Sequence, residues 1–311
     1  MSAKKKGNFG CLSILFLGGG RSSGWLGWLW RIPVLFILYT ALWVLAYKWI
    51  NPPTTYLHLT CDCPEGSSVK KDWVDANEIA DKMKLAVVAS EDNRFMMHGG
   101  IDWDAVEKAR KYNETEGKKK GKYRGASTIT QQTAKNVFLW PGKSKVSKWI
   151  RKGFELYFTY LIEWIWGKER ILEVYLNVIE MGPCIFGVEA ASNVYFGKKA
   201  SQLVPEQAAL IAACLPNPIK YSVAKPGPYM RKRQNQIVKL MNAIGSDYFI
   251  RAQKAAEEKE REKQREDRLK SIPEEDLKVI EPDDEKEENS IQIQKPVEQQ
   301  NDSSSNSKTS P

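Results

Sequence analysis

The chain has 311 residues, of which 42% are hydrophobic, so it is long enough to form a sizeable core and one or two domains. Its formal net charge is +9, and because residues 251–311 hold 12 Lys/Arg and 17 Asp/Glu, the positive excess lies in the first 250 residues. This charge favours an anionic partner, such as a nucleic acid, a membrane surface or a phosphate-bearing substrate. The chain has two histidines, which excludes a multi-histidine metal site and weakens the case for a Ser/His triad.

The N-terminal region has the composition of a membrane anchor. No acidic residue precedes Asp62, and the run from Ile32 to Tyr47 carries no charge. This run is somewhat shorter than the ~20 residues of a typical span, but tryptophans, Arg31 and Lys48 flank it as interfacial residues do. We predict a transmembrane helix over residues 32–50, with the basic residues 1–31 in the cytoplasm and the rest of the chain outside. The alternative is a cleaved signal peptide, which the long apolar region and the lack of an A-x-A site disfavour.

A mainly α-helical body is predicted between about residues 56 and 245, because apolar residues recur there at helical spacing. Proline and glycine residues at suitable positions support the predicted helix boundaries. The segment from Glu114 to Gly125 is charged and interrupted by glycine, so we predict a mobile loop. The predicted helices lie near residues 77–90, 103–112, 127–138, 146–165, 169–181, 187–195, 205–214 and 228–244.

The C-terminal tail, residues 251–311, is highly charged. Its first part, "AEEKEREKQREDRLK", is compatible with a solvated helix. The acidic remainder has almost no core-forming residues, so we predict that the tail is largely disordered.

The segment "EDNRFMMHGG", residues 91–100, places two carboxylates at the end of an apolar run. A helix that ends at Ser90 or Glu91 would carry Glu91 from an apolar wall into a cleft. Apolar surroundings raise the pKa of a carboxyl group, which suits a general base. The alternative is ordinary helix-end charge, with a surface pair between Asp92 and Arg94.

The segment "RGASTITQQTAKN", residues 124–136, combines a helix start with a polar stripe. Ser127 is a suitable N-cap, and Ser127, Gln131 and Lys135 would then lie on one edge of the helix. Such an edge, next to a helix N-terminus, can bind a polar phosphorylated ligand. The alternative is a polar stripe that faces solvent.

Residues 143–166 begin as a basic stretch and become aromatic and apolar beyond Glu155. Glu155 therefore stands between a cationic patch and a hydrophobic helix, one turn after Arg151. The alternatives are an i, i+4 salt bridge of little energetic value or a helix lying on anionic lipid. The following stretch, residues 168–182, is typical of an amphipathic helix with a buried stripe of Ile171, Val174, Tyr175 and Val178.

The five cysteines, at positions 11, 61, 63, 184 and 214, show no zinc-type spacing. Cys61 and Cys63 are too close in sequence for a typical unstrained disulfide. We therefore predict no disulfide framework.

These segments resemble, in order, the motifs of the peptidoglycan glycosyltransferases, the transglycosylases that polymerise lipid II. The resemblance covers roughly residues 70–245 and includes "RKGFE", "RILEVYLN", "GVEAASNVYFGK" and "AALIAACLPNP". It implies a mainly α, lysozyme-like glycosyltransferase domain over residues 56–245. A single span with no second extracellular domain is similar to the monofunctional form.

The resemblance also implies roles for residues. Glu91 matches the general base, which takes the proton of the acceptor GlcNAc 4-hydroxyl as it displaces the lipid pyrophosphate from the donor MurNAc with inversion. Glu155 matches the second glutamate, which orients the donor or binds a metal, so Mg²⁺ or Mn²⁺ is a candidate cofactor. The matching basic positions are Lys135, Arg151 and Lys152. The matching polar cleft wall is Ser127, Thr128, Gln131, Gln132 and Asn136. The residues that would support the first motif are Asp92, Phe95 and His98.

The implied setting is the outer, periplasmic face of a bacterial cytoplasmic (inner) membrane, with one span. The implied partners are lipid II, the growing glycan strand, the membrane and candidate cell-wall synthesis and division proteins, with no nucleic acid. One departure from the family is Ser147, where the family has an arginine; Lys145 or Lys148, within the basic stretch 143–148, could replace its charge but not its bidentate geometry.

Two other functions remain open from the sequence. One is a lysozyme-like enzyme that cleaves glycan, which would need a protonated acid but no lysine-rich patch. The other is a membrane-anchored scaffold for cell-wall assembly, against which the presence of both glutamates argues.

Overall fold

The computed structural model describes residues 26–142 and 144–270, without the side chains of residues 26–30 and 269. The predictions for residues 1–25, for Lys143 and for the acidic end of the tail, residues 271–311, lie outside the described residues. The described chain divides into two units, with the boundary between Ala252 and Gln253.

The first unit is mainly α-helical, which confirms the predicted fold class. Short 3₁₀ turns precede or follow several helices, and three short strands form a small sheet. The helices are α1 Leu26–Trp49, α2 Tyr56–Thr60, α3 Asp81–Glu91, α4 Trp103–Tyr112, α5 Lys118–Lys120, α6 Ile129–Phe138, α7 Lys145–Ile165, α8 Lys168–Val178, α9 Val188–Phe196, α10 Pro205–Cys214, α11 Pro228–Ile244 and α12 Tyr248–Lys270. The strands are β1 Lys70–Lys71, β2 Glu180–Gly182 and β3 Ile185–Phe186.

Helix α1 contains the predicted apolar span. Residues Arg31–Trp49 have a mean hydropathy of 1.6, and by length and composition this 19-residue stretch is able to cross a membrane. The helix packs on α7 and α6: Thr40 Oγ1 lies 2.7 Å from the Tyr157 hydroxyl, and the Trp43 ring meets Phe138 edge-on at 5.1 Å. The Trp166 indole N–H donates to the Val44 carbonyl at 2.7 Å, so the helix is fastened to the body along its C-terminal half.

Helix α10 lies in the centre of the body. Its sequence, "PEQAALIAAC", is rich in alanine, and residues 208–214 are all buried. Small side chains allow close helix approach, and α3 and α11 both pack against α10. This packing fixes the end of α3, where Glu91 lies.

The three strands form a sheet in the order β1-β3-β2, with β1 parallel and β2 antiparallel to β3. A disulfide joins Cys63, which precedes β1, to Cys184, which lies in the turn between β2 and β3. The prediction of no disulfide framework was therefore wrong. The two cysteines are 121 residues apart, and only the folded sheet brings them together.

Several predicted boundaries also differ from the structure. The helix expected from residue 77 begins at Asp81, after a 3₁₀ turn at Ala76–Glu78. The helix expected to run to residue 181 ends at Val178, because residues 180–182 pair with β3. The expected loop 114–125 begins instead as helical turns, Asn113–Gly117 and α5. The Asn113 side chain accepts from the Arg124 N–H at 2.7 Å and donates to its carbonyl at 2.9 Å, which ties the end of this segment back.

Helix α12 begins in the first unit and continues to Lys270 in the second. Residues 253–268 are exposed, so the start of the tail forms the solvated helix with which its sequence is compatible.

Candidate active site

Glu91 is the last residue of α3, as the sequence predicted. The preceding residues, 85–89, are buried and form an apolar wall. The Glu91 Oε2 atom accepts a hydrogen bond from the Gln132 amide at 2.9 Å, which joins the end of α3 to α6. Burial raises the pKa of Glu91, while this hydrogen bond and the charges of Arg233 and Lys135 lower it in part. A raised pKa in a fixed carboxyl group suits acid–base chemistry.

Asp92 organises the segment that follows Glu91. Its buried carboxylate lies 2.9 and 3.1 Å from His98 Nε2 and accepts from the Ile129 N–H at 3.1 Å. Asp92 therefore ties its own loop to the N-terminus of α6, where an anion is favoured. Phe95 is fully buried beneath this loop, with the Lys168 ammonium 4.5 Å from its ring centroid. The predicted supporting residues thus lie together behind Glu91.

The N-cap of α6 is Thr128, and the predicted cap Ser127 was wrong. Thr128 Oγ1 accepts from the Gln131 N–H at 3.1 Å and donates to the Gly100 carbonyl at 2.6 Å. The Gln131 side chain accepts from the Thr128 N–H at 3.0 Å and is buried, so Gln131 closes a capping box instead of sharing an open edge with Lys135. Gly100 has φ +93, and a Cβ there would lie 2.7 Å from Thr159 Cγ2, which explains the glycine at this position.

The Lys135 ammonium group interacts electrostatically with both predicted glutamates of the site. Burial lowers the pKa of Lys135, attraction to Glu155 and Glu91 raises it, and repulsion from Arg151 and Lys152 lowers it. One ammonium group therefore interacts with both carboxylates and both neighbouring cations. Asn136, the next residue of α6, is half-buried.

Glu155 is buried on α7 and forms an ion pair with Lys152, one turn earlier on the same helix. Arg151 is half-buried on the preceding turn. The structure thus gathers a cationic group of Lys135, Arg151 and Lys152 around a buried carboxylate. Lys145 and Lys148, the candidates for the charge at the Ser147 position, are exposed at the start of α7.

A cavity of about 300 Å³ opens at the end of α3. Glu91 and Asp92 line it from α3, Ser127 and Thr128 from the start of α6, and Arg233 from α11. Ser127 is exposed at its rim, so this residue keeps a place in the cleft wall although it is not the cap. The polar lining is suited to a hydrophilic group such as a sugar.

Sequence reasoning missed two residues of the site. Arg233 donates to the Ser90 carbonyl at 3.1 Å and acts electrostatically on Glu91. No local signal marks Arg233, because it lies beside, and not on, the buried stripe of Met230, Gln234 and Ile237. Tyr175 is fully buried, and its hydroxyl donates to Gln132 Oε1 at 3.3 Å, which orients the amide that holds Glu91. The sequence predicted Tyr175 to be buried but gave it no part in the site.

The surroundings of Glu155 do not form a cation site on their own. Mg²⁺ is usually held by one or two carboxylates together with substrate phosphates. Here Glu155 is already paired with Lys152, and among the described residues the close group of three potential metal ligands consists of cysteines instead. The residues around Glu155 therefore do not, by themselves, supply a metal for the reaction.

The transglycosylase family model matches residues 60–242, so the chain belongs to the transglycosylase family. It is 49% identical over 216 residues to a biosynthetic peptidoglycan transglycosylase of Bdellovibrio bacteriovorus, covering 68% of this chain and 83% of the relative. It is 52% identical over 181 residues to the protein of that name from Mannheimia succiniciproducens, covering 58% and 71%. A third relative of that name, from Bacteroides thetaiotaomicron, is 48% identical, covering 68% and 84%. The recognition of the peptidoglycan glycosyltransferase family from sequence is confirmed.

Proposed function

We propose that this peptidoglycan glycosyltransferase polymerises lipid II into glycan strands with Glu91 as its general base. The observation that carries the assignment is the placement of Glu91: a carboxylate with a raised pKa, held by Gln132 at the edge of a polar cavity and interacting with Lys135. Family membership supports the reaction, and the geometry supports the role of the residue.

The acceptor sugar occupies the cavity beside Glu91. The Glu91 carboxylate takes the proton from the GlcNAc 4-hydroxyl as this oxygen attacks C1 of the donor MurNAc. The bond from C1 to the pyrophosphate oxygen breaks, and attack from the opposite side produces the inverted, β linkage. A positioned carboxylate base typically contributes about 10²–10⁴-fold to such a step.

The leaving group is a lipid pyrophosphate, which gains negative charge as the bond breaks. Lys135, Arg151 and Lys152 are placed to stabilise that charge, and Glu155 holds Lys152 through their ion pair. Charges fixed before the reaction contribute strongly because they need no reorganisation.

The lipid tail of the donor stays in a bilayer, so the enzyme has to work beside one. Helix α1 is long and apolar enough to span it and is packed against α7, which carries Glu155. We place the chain in the bacterial cytoplasmic membrane with a single span and the body on the outer face. Other proteins of cell-wall synthesis and division are candidate partners.

The test is incubation of the purified full chain with labelled lipid II, with glycan strands resolved on a gel. Glu91→Gln should lower the rate by at least about 10²-fold because the amide cannot accept the proton. Glu107→Gln is the matched control, since that exposed residue forms an ion pair with Lys111 on the surface of α4, and it should polymerise normally.

An unchanged thermal unfolding midpoint will show that the Glu91→Gln protein is folded. Near-normal strand synthesis by this folded variant would show that Glu91 is not the base. Cleavage of finished, lipid-free glycan by the wild type, without strand synthesis, would favour the lysozyme-like alternative and reject the proposed reaction.

A further inference from the structure

Three cysteine sulfur atoms lie within 4.8 Å of one another at the edge of the small sheet. Cys63 and Cys184 are bridged, and Cys61 keeps a free thiol in the described part of the chain. The Cys61 sulfur lies 3.4 Å from the Cys184 sulfur and 3.8 Å from the Cys63 sulfur. A free thiol in contact with a disulfide is the arrangement that exchange chemistry requires.

We propose that these cysteines form a thiol–disulfide exchange site, in which Cys61 replaces Cys63 as the partner of Cys184. The Cys61 thiolate attacks Cys184 Sγ, the Cys61–Cys184 bond forms, and the Cys63–Cys184 bond breaks. Cys63 leaves as a thiolate and takes up a proton, as Cys61 gave one up. The step is redox-neutral and needs no outside oxidant or reductant.

Cys184 is the fixed member of the site. It is buried, its N–H donates to Glu180 Oε1 at 3.3 Å, and its carbonyl accepts from the Lys70 N–H at 2.8 Å. Two hydrogen bonds within the sheet therefore hold this residue in place whichever cysteine it is paired with.

Cys61 and Cys63 are the exchangeable members. Both are partly exposed, and the intervening Asp62 and the following Pro64 are exposed. Cys61 ends α2, where its thiol donates to the His58 carbonyl at 3.5 Å. Attack in line with the breaking bond requires residues 61–63 to shift, and this exposed connection has few packing contacts to lose.

The exchange moves the attachment point of the bridge by two residues, towards α2 and hence towards α1. Both pairings close nearly the same chain loop, which contains Glu91 and Glu155, so the exchange preserves the covalent closure of the catalytic body. What changes is the length of free chain between α1 and the bridge, and which thiol is accessible to small thiols and disulfides.

Burial and the carboxylates of Glu180 and Asp62 raise the pKa of the Cys61 thiol. Because the thiolate is the attacking species, exchange should be slow in neutral solution and faster in alkaline solution. An experiment can therefore start the exchange by raising the pH and stop it with acid.

The full chain is held at pH 8.5 without added thiol or oxidant, quenched with acid and labelled with N-ethylmaleimide near pH 6.5. Fragmentation of the peptide that contains both residues locates the label, and only molecules with unlabelled Cys184 are counted. We expect label to grow at Cys63 from none to a share comparable with that at Cys61. Label confined to Cys61 at every time would overturn the proposal.

Variants provide a second test, after incubation with oxidised glutathione. Cys63→Ser should form the Cys61–Cys184 bridge and keep a thermal midpoint close to that of the control Cys61→Ser. Cys184→Ser should have no bridge to the sheet and unfold at a lower temperature. A Cys63→Ser protein that lacks the new bridge would contradict the proposal, and neither result depends on transferase activity.

Discussion

A buried carboxylate is an effective base only if its surroundings keep it ionised at the working pH. Burial raises the pKa of Glu91, and three groups oppose this: the Gln132 amide, the Arg233 guanidinium and the Lys135 ammonium. Activity should accordingly fall as the pH drops through a pKa that lies above the ordinary glutamate value. The balance among these groups sets where the acid limb of the pH profile lies.

Arg233→Met should move the acid limb of kcat/KM to higher pH. Without the nearby positive charge, the pKa of Glu91 rises further, and a larger fraction of the enzyme carries a protonated, inactive base. The measurement is the pH profile of lipid II polymerisation. Lys232→Met, which removes an exposed charge from the neighbouring position of α11, should leave the profile unchanged.

Arg233→Lys separates the charge of Arg233 from its hydrogen bond to the Ser90 carbonyl. If Arg233 acts through its charge, the Arg233→Lys variant should return the acid limb of the pH profile to its wild-type position. If Arg233→Met lowers the rate equally at every pH, the residue is only structural and its electrostatic effect on Glu91 is rejected.

Lys135→Met should lower the rate of polymerisation by about 10²–10³-fold, the cost of removing one group that stabilises transition-state charge. The loss should appear in kcat because the pyrophosphate gains charge as the bond breaks. Steady-state kinetics with lipid II measure it, and Lys108→Met, which removes an exposed lysine on α4, is the control. A change confined to KM would assign Lys135 to substrate binding alone.

At the scale of the element, the N-terminal part of α6 holds the residues at the end of α3, Glu91 and Asp92, in place. Its first N–H groups meet Asp92 and Thr128, and its second turn presents Gln132 to Glu91. A change in the N-cap of α6 should therefore affect both the stability of the fold and the orientation of the Glu91 carboxylate.

Thr128→Ala should lower the free energy of unfolding by about 1–2 kcal/mol, since it removes a capping hydroxyl that also bonds the Gly100 carbonyl. Thr128→Ser keeps the hydroxyl and should stay close to wild type. Thermal unfolding of the full chain in detergent measures the difference. Equal losses in the two variants would assign the effect to the methyl group and contradict the capping role.

The sequence was most informative where helix ends carry local signals. The predicted ranges 103–112, 205–214 and 228–244 agree with α4, α10 and α11, two of which begin at proline. Thr128 and Gln131 carry the spacing of a capping box, but Ser127 satisfies the simpler N-cap rule, and the choice is made by Gly100 from another part of the chain.

Local sequence signals of this kind did not predict the contacts between residues that are far apart in the chain. No local pattern pairs Cys63 with Cys184, because their proximity depends on the parallel pairing of β1 with β3. In the candidate site, the motifs led us to propose both glutamates and the cations, but they did not predict the convergence of α3, α6 and α11 that brings Arg233 to Glu91.

At the scale of the whole molecule, one side of α7 exposes large apolar side chains. Trp149 and Trp164 are 79% and 84% exposed, and Tyr160 lies between them at 50%. Tyr160 follows Trp149 by about three turns and precedes Trp164 by one, so all three project from one side of the helix. Helix α7 packs on α1, so we expect a bilayer around α1 to cover this side as well.

Removing Trp164 should reduce the contact between α7 and lipid in a way that fluorescence can detect. The full chain is reconstituted in vesicles with or without bromine on the phosphatidylcholine acyl chains, since bromine quenches the emission of tryptophans close to it. Trp164→Phe should lower the quenched part of the emission, because we expect the aromatic side chains on this side of α7 to contact the acyl chains. Trp103→Phe is the control: Trp103 is 64% exposed, but its helix α4 has a charged surface that a bilayer disfavours. An equal effect of both changes, or none from Trp164→Phe, would place α7 away from the lipid and leave α1 as the membrane contact.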